Sequence, residues 1–291
     1  MKALVIGGTR FIGAHVVRHL HDAGAEVSVF HRGQTSNLVL PGVDHILDPG
    51  ARYPITKFPP TVLRDWDLVV HMVAMGETDA RAAVEAFAGR TNRLALISSL
   101  DVYRAYGRWT RKELGPLDPV PLTEDAPLRS ELFPYRGMEE QLGDYARDYE
   151  KILAEEVLRN SPLPGWTILR LPKVYGPEDN GDLGTIYGFA GAPHWRWTHG
   201  YVRNVAHAIV TAATHANGRN EIFNVGEEVT PTMSERLSIL PPMPRPVPEP
   251  PPFDFRQSLV LESAKLRRLV GYMEVVDERA AMIECASRAL V

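Results

Sequence analysis

The chain has 291 residues, 44% of them hydrophobic, with 32 basic against 36 acidic side chains and a formal net charge of −4. That length suits one α/β domain of up to ~250 residues with an appendage. The mild acidic balance leaves no electrostatic footprint for nucleic acid or an anionic membrane. The single cysteine, Cys285, excludes an internal disulfide, and its apolar helical setting marks it as a core thiol. No apolar run reaches the ~20 residues that span a bilayer. The opening "MKALVIGG" has the pattern of a strand and not of a signal peptide, so a cytoplasmic protein is expected.

In chain order, "KALVIG" (2–7) is an aliphatic run bounded by glycine and predicts a buried strand. Residues 11–24 have helical periodicity, with Ile12, Val16, Val17 and Leu20 on one face and Gly24 as the closing glycine. Strands are predicted at 26–30, 45–48, 67–75 and 93–99, with a helix at 78–89. Residues 104–142, rich in proline and charge, read as a long loop. "GDYARDYEKILAEEVL" (143–158) reads as an amphipathic helix, and "WTILRL" (166–171) as a strand. An irregular aromatic stretch (176–200) precedes a helix at 203–216, with Asn204 as its N-cap, and a strand at 221–226. Further on, Thr232 and Glu235 have the spacing of a capping box. Residues 241–252 hold eight prolines in twelve positions, which predicts a stiff polyproline-II linker. Helices are predicted at 263–270 and 277–290. The alternation of strand and helix implies a parallel, doubly wound α/β sheet with helices on both faces.

"IGGTRFIG" (6–13) joins the first strand to the first helix. Glycines at such a turn let the backbone approach a diphosphate seated on the helix N-terminus. Gly7 and Gly13 hold the outer places of G-x-x-G-x-x-G, and Arg10 stands where the middle glycine is usual. The guanidinium adds a cation beside the phosphates. The second strand ends "VFHRGQ". An acidic residue there would bond the ribose 2′-hydroxyl of NAD, whereas His31 and Arg32 suit the 2′-phosphate of NADP, which Arg32 can pair bidentately. NADP is therefore the expected cofactor over NAD.

The segments "VIGGTRFIGAH", "VVHMVA", "ISSLDVY", "EKILAEE", "TILRLPKVYGPED", "YVRNVAHAI" and "FNVGEE" occur in the order seen in extended short-chain dehydrogenases/reductases. Over about 1–226 the chain resembles the NAD-dependent epimerase/dehydratase family, and most closely its atypical bacterial branch, which also resembles chloroplast stem-loop RNA-binding proteins. The resemblance implies a Rossmann-like domain from 1–175 and 201–226, and a small substrate domain from 176–200 and 227–291. It implies cofactor contacts from Gly7, Thr9, Arg10, Phe11, Ile12 and Gly13. Asp48 would lie at the adenine, Met72, Val73, Ala74 and Met75 along the cofactor, and Pro172 and Val174 by the nicotinamide. It further implies an oxidoreductase, epimerase (isomerase) or dehydratase acting on a nucleotide sugar or related carbonyl or hydroxyl substrate, and by analogy a homodimer.

The family's acid/base is a tyrosine four residues before a lysine, an offset of only about 40° on a helix. The ammonium lowers the phenol pKa from ~10 and also holds the nicotinamide ribose. Lys151 matches that lysine, and Ser99 matches the serine that orients the substrate oxygen. Four before Lys151, however, stands Arg147. Tyr149, two before it, lies about 200° away on a regular helix. Three readings stay open. Tyr149 serves if the helix starts only near Glu150, Tyr103 of "DVY" substitutes, or the site binds NADP without the usual proton transfer, as in a sensor. An RNA-binding relative is a further alternative, against which the negative charge counts. "HWRWTHGYVRN" (194–204) offers aromatic faces and arginines to clamp a base and diphosphate, or else a packed junction. His194 and His199 lack the carboxylate or cysteine that would complete a metal site, so no metal is expected.

Overall fold

The computed structural model describes residues 1–34, 41–177, 183–242 and 252–289. Its elements are β1 (Lys2–Ile6), α1 (Phe11–Asp22), β2 (Glu26–His31), β3 (Asp44–Leu47), β4 (Leu68–His71), α2 (Glu77–Phe87), β5 (Leu94–Ser99), α3 (Arg104–Trp109), α4 (Glu139–Leu142), α5 (Lys151–Arg159), β6 (Trp166–Leu171), β7 (Lys173–Tyr175), α6 (Gly184–Tyr187), β8 (His199–Tyr201), α7 (Val202–Thr214), β9 (Glu221–Asn224), α8 (Met233–Ile239), α9 (Ala264–Val270) and α10 (Glu278–Ala289).

Seven strands form one sheet in the order β3-β2-β1-β4-β5-β6-β9. The β1–β2, β2–β3, β1–β4 and β4–β5 pairs are parallel. The chain winds outward from β1 in both directions, so the strand order reverses between β1 and β4. In a doubly wound sheet that crevice is where ligands bind. After the exposed Lys2, β1 is apolar, as a strand buried on both faces must be, and Ala3, Leu4, Val5 and Ile6 are fully buried. Leu4, Ile6, Phe30, Val69, Phe87, Leu96, Leu158 and Ile168 belong to one core cluster. This is the Rossmann-like α/β fold that the strand–helix alternation predicts.

The chain divides into two compact units. The first comprises Met1–Ser99, Leu132–Arg170 and Ile209–Phe223, and the second Leu100–Glu131, Leu171–Ala208 and Asn224–Val291. Residues 100–131, expected in the nucleotide-binding domain, thus pack with the second unit. There Leu122 N–H donates to Val260 O at 2.7 Å, a pairing across too many residues for any local pattern to reveal. The second unit also holds the two-stranded β7–β8 sheet.

Several expectations need correction. The strand at 67–75 ends at His71, and Met72 to Met75 form the turn after it. The loop at 104–142 contains α3 and α4. The helix at 143–158 is instead a 3-10 turn, Asp144–Arg147, a break, and then α5. Asn204 is not an N-cap. α7 starts before it, and its side-chain carbonyl accepts from Val275 and Val276 N–H at 3.0 and 2.9 Å. Trp195 does not offer a face for clamping a base. It is buried, stacked on Trp109 with centroids 5.2 Å apart, and packed among Phe189, Trp197 and Phe255. The Thr232–Glu235 capping box is present as read. The proline tract falls almost wholly on 243–251, outside the described residues. Among the described residues no helix is long and apolar enough to cross a membrane.

Candidate cofactor site and catalytic residues

β1 delivers the chain to Gly7, whose φ of +85° is one that side chains rarely adopt. A methyl at Gly13 would stand 2.5 Å from the Gly7 carbonyl oxygen, and one at Gly7 would stand 2.7 Å from the Val73 side chain. These two positions therefore hold α1 close against the loop and the loop close against the turn after β4. No side chain caps α1 at Arg10, and its first turn contains no acid. The positive end of the helix dipole and the exposed Arg10 guanidinium reinforce each other there. This cradle fits the diphosphate of a dinucleotide, and Thr9, Phe11 and Ile12, all half-buried, belong to the same turn.

At the end of β2, His31 builds the next turn. Its Nδ1 accepts from Gly33 N–H at 3.2 Å, which leaves Nε2 to donate to His45 Nδ1 at 2.9 Å. Burial and then His45 hold its pKa below the ordinary value, so the ring stays neutral. Both its nitrogens are engaged within the protein, and the side chain presented to solvent is Arg32, with its guanidinium carbon 5.9 Å from the Tyr53 ring centroid. Asp48 is half-buried, its N–H donates to His31 O at 3.0 Å, and its carboxylate accepts from Gly50 N–H at 2.9 Å.

Met72, Val73, Ala74 and Met75 follow β4. Asp79, buried on α2, accepts from Met75 and Gly76 N–H at 3.1 and 3.3 Å, and from Ile55 N–H at 2.6 Å. Its carboxyl pKa is raised by burial, with those backbone bonds acting against the shift. Lys151 is 4% exposed, and its ammonium donates to Ala74 O at 2.6 Å and to Ile97 O at 2.9 Å. It therefore joins the turn after β4 to β5, whose last residue, Ser99, is half-buried.

The start of α5 decides where the tyrosines lie. Glu150 is fully buried and is the N-cap, with Oε1 accepting from Ile152 N–H at 3.0 Å. Its other oxygen accepts from Phe133 N–H at 2.5 Å, and its own N–H donates to Met75 O at 3.0 Å. Tyr149 thus precedes the helix, which is the condition on which its catalytic reading depended. Its ring centroid is 5.4 Å from the Lys151 ammonium. Tyr149 is buried, with Tyr135 packed on it at 4.9 Å and Tyr145 at 6.2 Å. Arg147, in the usual tyrosine's place, is exposed.

Tyr103 belongs to the second unit, is fully buried, and donates its hydroxyl to Asn224 Oδ1 at 2.6 Å. A phenol so committed is a packing group, and this counts against the substitution reading. Pro172 and Val174 are buried in the second unit, around the start of β7. His199 is buried there too, with its pKa lowered by burial and its Nδ1 2.7 Å from Trp197 O. Among the described residues no group of three or more His, Cys, Asp or Glu could hold a metal ion. A cavity of about 830 Å³ in the second unit is lined by Glu227, Arg236, Val275, Glu278 and Met282 among others, and by none of the expected site residues.

Sequence reasoning missed the roles of Glu150, Asp79, Tyr53 and Tyr145. Asp79, three residues after Gly76, was legible as the acid of a helix start. The roles of the other three rest on contacts between distant segments.

Residues 3–226 match the NAD dependent epimerase/dehydratase family, and the chain belongs to it. A search of curated proteins returns no match. Among solved structures, UDP-glucose 4-epimerase of Thermotoga maritima with UDP-glucose is similar at a TM-score of 0.69 and 18% identity, over 100% of both chains. The Bordetella bronchiseptica enzyme WbmG in complex with NAD gives 0.70 and 18%, over 99% of this chain and 93% of that one. MoeE5 in complex with UDP-glucose and NAD gives 0.70 and 19%, over 100% of both. At such identities the likeness is one of fold.

Proposed function

We propose that the protein is an NADP-dependent oxidoreductase of the epimerase, dehydratase or reductase kind, acting on a hydroxyl or carbonyl of a nucleotide sugar. The nucleotides and sugars in the similar structures motivate the substrate class. Arg32, where an acid would suit NAD, motivates the cofactor. The bound nicotinamide supplies a hydride acceptor or donor. In this reading Gly7, Gly13 and the first turn of α1 take the diphosphate, and Arg32 takes the 2′-phosphate. Lys151 holds the nicotinamide ribose. Ser99 orients the substrate oxygen, and Tyr149 gives or takes its proton while the Lys151 ammonium stabilises the phenolate.

One observation carries the catalytic part. α5 begins at Lys151 and not a turn earlier, so Tyr149 is free of the helical phase that would set it on the opposite face. A second reading, a binding protein without turnover, is favoured by the burial of Tyr149 and by the two carbonyls that already engage the ammonium.

The test is chromatographic detection of epimerised or dehydrated product, with nicotinamide absorbance to read any net reduction or oxidation, using a panel of UDP-, dTDP- and GDP-sugars and their keto forms added to wild type, Tyr149→Phe and Ser99→Ala. Turnover by wild type, cut at least ~100-fold in Tyr149→Phe, supports the assignment. Turnover that survives in Tyr149→Phe removes that residue from the mechanism. Tight NADPH binding with no turnover on any panel member favours the binding protein.

A further inference from the structure

We propose that Tyr53 is a specificity-determining residue for the dinucleotide, acting as the aromatic backing that fixes the Arg32 guanidinium for the 2′-phosphate. The inference rests on the NADP reading above and adds a residue to it.

Arg32 is exposed on a turn, and a long exposed side chain loses rotamer freedom when it grips an anion. A ring face beneath the guanidinium reduces that loss, because the aromatic quadrupole attracts the cation before any ligand arrives. The Tyr53 ring lies 5.9 Å from the Arg32 guanidinium carbon, within the range of that attraction. Tyr53 is itself held from two sides. Two residues on, Ile55 N–H donates to the buried Asp79 carboxylate at 2.6 Å, which pins the segment to α2. On the other side the ring meets Tyr145 edge-on at 6.5 Å, and Tyr145 meets Tyr149 at 6.2 Å. Arg32, Tyr53, Tyr145, Tyr149 and Lys151 thus form a ladder from the arginine expected at the 2′-phosphate to the lysine expected at the nicotinamide ribose. The half-buried Tyr53 phenol has a raised pKa, chiefly from burial, so the ring stays neutral and keeps its electron-rich face.

The chemistry recognised is a ribose 2′-phosphate, and the probes are adenosine 2′,5′-bisphosphate and ADP, titrated calorimetrically into wild type, Arg32→Ala, Tyr53→Phe, Tyr53→Leu and Tyr53→Ala. Wild type is expected to prefer the bisphosphate. Tyr53→Leu and Tyr53→Ala should each lose roughly fivefold in affinity for the bisphosphate while ADP affinity stays level, and Tyr53→Phe should behave as wild type. Level ADP affinity also certifies that a variant is folded, and Tyr53→Leu retains more apolar bulk if the alanine variant is unstable. An equal loss for both probes overturns the proposal, because the ring then supports the fold or the base and not the phosphate. No change in either variant overturns it too, and leaves the NADP reading standing on Arg32. A wild type that binds the two probes alike, with Arg32→Ala unchanged, removes the NADP reading and the proposal together.

Discussion

His71 ends β4, is fully buried, and has no hydrogen-bond partner for either ring nitrogen among the described residues. Burial and then the neighbouring Lys151 charge push its pKa down to about 3. The folded chain therefore refuses a proton that the unfolded chain accepts below the ordinary value of 6.5. Stability is full above that value and falls by about 1.4 kcal/mol per pH unit between there and the folded pKa. His71→Asn is expected to flatten the acid limb of a urea-denaturation series, and an unchanged limb would refute this. Glu278, on the wall of the second unit's cavity, has the opposite sign. Burial and then Glu227 push its carboxyl up to about 7, while Tyr175 donates a hydroxyl to it at 3.1 Å. Its contribution is present at low pH and lost as pH rises through that range. Glu278→Gln keeps an acceptor for Tyr175, and should raise the melting temperature by a few degrees above neutrality but not near pH ~5. An equal effect at both pH values would contradict the assignment.

Helix α5 is placed by a buried ion pair as well as by its cap. Arg170 on β6 makes a bidentate contact to Glu155 at 2.9 and 2.7 Å, both side chains being 2% exposed, and Ser98 on β5 donates to the same carboxylate at 2.5 Å. Arg170→Met is expected to cost ~3–5 kcal/mol, because it strands a buried charge, and Arg170→Met with Glu155→Leu should recover most of that. Chemical denaturation decides it, and a loss below ~1 kcal/mol for the single variant would contradict the expectation. The same helix shows where sequence reading stops. The amphipathic pattern of the segment was legible because periodicity is local, and Lys151 because the segment around it resembles the family's. The start stayed open between residue 143 and about Glu150, because Glu150 is an uncommon cap chosen by distant partners, Phe133 and Met75. Asn204 failed as a predicted cap for a related reason. The loop before α10 offers it better hydrogen bonds than its own helix end does.

For the whole molecule, the strand–helix order was readable because β1, β2, β4, β5 and β6 are largely buried apolar runs and α1, α2 and α5 lie on connections between them. The glycine turn, Arg32, Ser99 and Lys151 could be placed on that frame from the sequence alone. The membership of residues 100–131 in the second unit could not, since pairings such as Leu122 with Val260 leave no periodic trace. In the proposed reading most of the dinucleotide contacts come from the first unit, and binding should stabilise the folded chain by linkage. NADPH at a hundredfold excess over its dissociation constant is expected to add about 2.7 kcal/mol, and NADH at the same concentration less. A melting curve that NADPH leaves unmoved would count against the cofactor reading.

The ammonium of Lys151 hangs from the carbonyls of Ala74, in the turn after β4, and Ile97, on β5, so its address is written in that turn and strand and not in the helix that carries its Cα. A helix anchored in that way can lose its first turn without displacing the cation. The phenol upstream is then released from a fixed spacing and can change its place in the chain while the charge it answers to stays put. A catalytic pair defined by sequence interval would count this chain as broken, whereas in the proposed reading, where the two carbonyls define it, the pair is re-threaded.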